Sequence, residues 1–119
     1  SIFSSYSGKY ADGTMHPKLT TLLINGELAL AGGSGEFFSD LSVQLKAAVE
    51  GPKALFLGYC NGHDMYFPTE RAINQGGYGA DAGSAWVAPG APEKMIAGAV
   101  ERFGVQLREF KQANVPAAE

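Results

Sequence analysis

A chain of 119 residues has the length of one domain and is long enough to bury roughly two thirds of its unfolded surface. Sixteen glycines, about 13% of the chain against an average near 7%, and only 18% charged residues describe a chain that buries much of itself or covers part of its surface with something else. Nine scattered Lys and Arg under a net charge of −3 exclude nucleic acid as the main partner, no apolar run is long enough to predict a transmembrane segment, and the single Cys60 excludes an internal disulfide.

Residues 1–18 are rich in Ser, Gly, Tyr and Asp without apolar periodicity, which predicts an extended or loop segment, one suited to packing on something larger. Leu19 to Ile24 is apolar and partly β-branched, and Asn25-Gly26 separates it from a second apolar run, Glu27 to Ala31. Two such runs joined by Asn-Gly predict a β-hairpin, because a type I′ turn needs positive φ at both central residues. After Gly32 to Gly35, the stretch Glu36 to Val49 places Phe37, Leu41, Leu45 and Ala48 on one face of a helical period, and Gly51-Pro52 ends it.

Ala54 to Cys60 is an almost continuous apolar run, the pattern of a strand buried on both faces. Asn61 to Asp64 forms a polar turn, and Thr69 predicts the cap of a short helix reaching about Asn74. Gly76 to Gly90 is irregular. From Ala91-Pro92-Glu93 a last helix starts, with proline tolerated in its first turn and an acid favourable to its dipole; Ile96, Ala99, Val100, Phe103, Leu107 and Phe110 line one face.

Three polar clusters follow strands: Gly32 to Glu36, Asn61 to Tyr66 and Gly76 to Tyr78. Ligand sites of α/β sheets collect beyond strand carboxyl ends. The first cluster has three interpretations: a phosphate cradle, a tight turn in which Glu36 complements a helix dipole, or a rim position from which Glu36 ligates a metal. A phosphate loop lacks its lysine here, and the dinucleotide fingerprint lacks its third glycine, since position 38 is Phe. His63 is either an ordinary loop histidine or a ligand. Cys60, three residues away, ends an apolar run and reads as a small buried hydrophobe rather than a nucleophile. A metal site needs three or four ligands; Glu36 and His63 supply two, and His16 is a poor third. These residues alone do not assemble an enzyme.

Taken together, Gly35-Glu36-Phe37-Phe38 after a hairpin strand, the block Asn61-Gly-His-Asp-Met-Tyr-Phe-Pro-Thr69, and Gly76-Gly77-Tyr78 resemble the neutral/alkaline non-lysosomal ceramidase family, in order and spacing over about Leu19 to Arg108. The resemblance covers the C-terminal part of that family's catalytic domain. It implies a zinc amidohydrolase acting on the N-acyl bond of a sphingolipid-type substrate, in a secreted or periplasmic setting. It places metal ligands at Glu36 and His63, where His63 stands for a family tyrosine that Tyr66 could alternatively supply, and substrate contacts at Asn61, Tyr66 and Tyr78. Gly79 stands where the family has a glutamate, and two histidine ligands belong to a region upstream of these residues.

The expectation is therefore an α/β fold: a small mixed sheet, hairpin plus buried strand, with two to three packed helices, forming part of a larger α/β domain. It divides into an N-terminal segment 1–18, a ceramidase-like partial domain 19–113 and a tail 114–119. The expected partner is another chain or the upstream part of the same domain, with zinc as cofactor and a lipid as possible substrate. On that basis the isolated chain is expected to be inactive. The alternative is a non-enzymatic structural or interaction subunit that keeps the fold, and a nucleotide-binding domain would rest on the glycine turn alone.

Overall fold

A computed structural model describes residues 14–116; residues 1–13 and 117–119, and with them most of the expected N-terminal segment and the end of the tail, lie outside the described residues. Strands β1 (Leu19–Ile24) and β2 (Leu28–Gly33) form the expected hairpin. Its turn has φ of +52° at Asn25 and +66° at Gly26, as a type I′ connection requires. Next come β3 (Glu36–Phe37), α1 (Ser39–Ala48), β4 (Lys53–Leu57), β5 (Tyr66–Phe67), α2 (Glu70–Gln75) and α3 (Ala91–Ala113).

The main sheet has the order β1-β2-β4, with β1 antiparallel and β4 parallel to β2. A separate parallel pair joins β3 to β5. The result is a mixed α/β fold, as expected, with the second small sheet as an addition.

One face of the main sheet builds the core. Ala29 and Ala31 on β2 and Ala54 on β4 point into it, and their small side chains let Leu41 and Leu45 of α1 and Ile96, Ala99 and Phe103 of α3 approach closely. The helix expected from Glu36 starts later. Glu36 and Phe37 belong to a strand, Phe38 is the cap, and the helical face reduces to Leu41 and Leu45, with Ala48 exposed. Backbone amides of residues 36 and 38 go to Met65 and Phe67 carbonyls, at 2.8 and 3.0 Å. Pairing with β5 thus outcompetes helix extension.

The opposite face of the sheet corrects a second expectation. β4 is not buried on both faces: Leu55 and Leu57 are exposed, as are Leu22 and Ile24 of β1. The pairing register aligns Leu22, Leu30 and Leu55 across the three strands, so these residues form one apolar surface. Both α1 and α3 pack on the other side, and no described element covers this one.

Thr69 caps α2 as expected, its hydroxyl accepting from the Ala72 amide at 3.1 Å. The Glu93 carboxylate, in the first turn of α3, accepts from the Glu70 amide at 2.7 Å and ties the starts of the two helices together.

Candidate functional site

The parallel pairing of β3 with β5 aligns Glu36 with Tyr66 and Phe37 with Phe67. Because side chains alternate along a strand, one register pair faces inward and the other outward. Phe37 and Phe67 stack at 4.4 Å between ring centroids, with Phe67 fully buried. Glu36 and Tyr66 therefore share the outer face. The glycine turn before β3 makes room for the rings: side chains at Gly33 and Gly35 would sit 2.2 Å from the Phe37 and Phe67 rings respectively.

Ser34, at the centre of that turn, is fully buried and stitches three segments together. Its hydroxyl accepts from the Lys18 amide at 2.8 Å, its own amide donates to the Lys18 carbonyl, and its carbonyl accepts from the Asp64 amide at 2.7 Å. The amides of residues 34 and 36 are thus committed to the backbone, and the helix begins three residues later at Ser39. A phosphate cradle is absent at this turn for both reasons.

After Leu57 the chain leaves the sheet earlier than expected. Tyr59 takes a φ of +55°, followed by Asn61 at +60° and Met65 at +64°. Asparagine tolerates this region, whereas for the other two it costs on the order of 1–3 kcal/mol each. Backbone bonds from Tyr59 and Cys60 to the Gly35 and Gly33 carbonyls, at 3.0 and 2.8 Å, hold the loop in place. The strained turn swings Tyr59 outward, and its hydroxyl donates a hydrogen bond to the Glu36 carboxylate. His63 stacks on the Tyr59 ring at 5.2 Å and 11°.

Tyr66 completes the cluster. Its hydroxyl donates to that of Tyr78 at 3.2 Å, and the two rings meet edge to face. Both phenols next to Glu36 are held neutral. The Tyr59 hydroxyl is pushed up to about 12 by its bond to Glu36, by burial and by the carboxylate charge. The Tyr66 hydroxyl moves in the same direction, first through its bond to Tyr78 and further through burial and Glu36.

Of the sequence-expected residues, Glu36, His63, Tyr66 and Tyr78 meet in this cluster, and Asn61 lies exposed on the same loop. Gly79 is buried with φ of +81°, and a side chain there would approach Tyr66 and Phe38 to 3.0 and 3.1 Å. His16 lies ahead of β1, exposed and beside Thr14. Cys60 packs against Gly32 and lies 3.6 Å from the Gly58 carbonyl. The contacts of Tyr59 with Glu36 and His63, and of Ser34 with Lys18 and Asp64, were not announced by the sequence. The one available signal for Tyr59 was the glycine before it, which breaks the apolar run.

Zinc is the metal expected of this cluster. Glu36 and His63 are suitable ligand types on either side of Tyr59, but no three His, Cys, Asp or Glu side chains converge among the described residues. A zinc site takes three or four protein ligands, of which Glu36 and His63 would supply two. Comparison with family models, curated proteins and solved structures finds no match to this chain.

Proposed function

We propose that this chain is a portion of a ceramidase-like zinc amidohydrolase and contributes half of its site: Glu36 and His63 as ligands, and Asn61, Tyr66 and Tyr78 as contacts to an N-acyl sphingolipid-type substrate. The observation that carries this reading is the pairing of Glu36 with Tyr66 across β3 and β5, with the Tyr59 hydroxyl on the same carboxylate. With the Tyr59 proton on Glu36 and the Tyr66 proton on Tyr78, the cluster offers carboxylate and phenol oxygens as acceptors and the Tyr78 hydroxyl as donor, a set suited to a polar amide and its flanking hydroxyls. The missing ligands come from the upstream part of the domain or from another chain. The open leucine surface of the main sheet supports such a covering partner, since a parallel pair such as β2 and β4 is ordinarily buried on both faces.

Because the ligand set is incomplete, the isolated 119-residue chain should release no fatty acid from N-acylsphingosine with added zinc. The assembly purified from its natural source should carry stoichiometric zinc and do so. Zinc-dependent turnover by the isolated chain overturns the half-site, and a native assembly without zinc or amide hydrolysis overturns the amidase.

The same open face favours a second reading, an interaction subunit that keeps the fold without the chemistry. Metal content of the native assembly separates the two.

A further inference from the structure

At the far end of α1 from Glu36, a groove of 310 Å³ opens between the C-terminus of α1 and the second half of α3. Its floor is apolar: Val49, Pro52, Val100, Phe103 and Leu107. Gly104 creates the space. The Arg108 guanidinium lies 3.6 Å from where a side chain at Gly104 would begin, so it folds back over the glycine and faces the groove. Lys111, three residues on, stands at the same lip, since residues three apart share a helix face. Glu50 stands among the residues contributed by the other wall.

Two cations against one carboxylate, above an apolar floor, select a ligand with a single anionic head and a short hydrocarbon chain. Arginine holds a carboxylate through two parallel hydrogen bonds, and lysine adds a point charge. At roughly 30 Å³ per non-hydrogen atom, by comparison with water, the space fits about ten such atoms. We propose that this groove binds a single-chain amphiphilic carboxylate, its chain along Val100, Phe103 and Leu107 and its head at Arg108 and Lys111. The site is independent of the amidase reading and stands without it.

Calorimetric titration of the chain with octanoate, octanol and octylammonium tests it. Octanoate should bind saturably at one per chain and at least tenfold more tightly than octanol, with octylammonium weakest. The surface double variant R108E/K111E should weaken octanoate at least tenfold and leave octanol unchanged. Gly104→Leu fills the floor with a better helix former, so it should abolish binding of both while the thermal midpoint stays level or rises. Absence of saturable octanoate binding, equal affinity for octanol, or full binding by Gly104→Leu at an unchanged midpoint overturns the proposal. If Gly104→Leu fails to fold, the charge-reversed double variant decides alone.

Discussion

Glu36 and Tyr66 are register partners on two parallel strands, so the candidate carboxylate and phenol stand side by side because Phe37 and Phe67 stack beneath them. Each strand is only two residues long, too short for its hydrogen bonds alone to hold the register. The ring stack, seated over Gly33 and Gly35, carries that task.

Phe67→Ala removes a fully buried ring and should cost about 3–5 kcal/mol, a large part of the stability of a chain this size. Urea unfolding at unchanged m-value measures the loss. Phe67→Leu should retain roughly half of it, because the leucine fills part of the cavity. A cost below about 1 kcal/mol for Phe67→Ala would sink the claim that this stack holds the site.

The Tyr59 phenol titrates at about 12 against its ordinary 10.0, chiefly through its bond to Glu36. The folded state thus favours the protonated phenol. Its contribution to stability is complete below pH 10 and disappears as pH rises through about 12. Tyr59 is largely solvent-exposed, so the contribution is small and screened. Glu36→Ala should bring the Tyr59 titration back toward 10, followed by near-ultraviolet phenolate absorbance with Tyr59→Phe as the assignment control. A titration unmoved by Glu36→Ala refutes the hydrogen bond as its cause.

Local chemistry explains why the hairpin, the capped α2 and most of the buried face of α3 were legible in the sequence. Asn25-Gly26, Thr69 and the Ile96–Ala99–Phe103 spacing each act within a few residues. The start of α1 was not legible, because the amides of Glu36 and Phe38 donate to the carbonyls of Met65 and Phe67, some thirty positions away. Tyr59 was hidden for a related reason. Its outward turn depends on carbonyls of the β2–β3 connection, and an apolar run gives no sign of them. Of the candidate residues, Glu36 and His63 were legible from residue type and position and Tyr66 and Tyr78 through the family resemblance, while their mutual geometry is a property of the fold.

Gly26 combines two demands. Its φ of +66° is unfavourable for any residue with a Cβ, and a side chain there would meet the Phe110 ring of α3 at 2.7 Å. Gly26→Val should therefore destabilise by about 2 kcal/mol or more, from backbone strain together with displacement of Phe110. Asn25→Gly should stay within about 0.5 kcal/mol, since glycine adopts the same conformation. Chemical denaturation of both variants checks the contrast, and equal costs would contradict the I′ turn as the determinant of register.

Ser34→Ala keeps the volume of the turn nearly intact but leaves the Lys18 amide without its partner. An unsatisfied donor in this partly buried position should cost about 1–2 kcal/mol. Amide exchange of Lys18 should accelerate relative to the β2 amides, which report global opening. Unchanged protection at Lys18 would mean that the hydroxyl does not hold the segment entering β1.

The open face of the main sheet brings 53% of Leu22 and 50% of Leu57 into contact with solvent, beside Leu55 in the same surface. A covered face and an uncovered one make different demands on substitution. With no described element on that side, exchanging Leu22 and Leu55 for threonine introduces β-branched residues suited to strands while removing apolar surface from water. The double variant should bind less of a fluorescent hydrophobic probe and self-associate less, with its unfolding midpoint held within a few degrees. In the native assembly the same two substitutions should weaken retention of any covering partner, because that partner would lose the leucine row aligned across β1, β2 and β4. If instead the isolated double variant loses several kcal/mol, as substitutions in a packed core do, then this surface is buried within the chain itself.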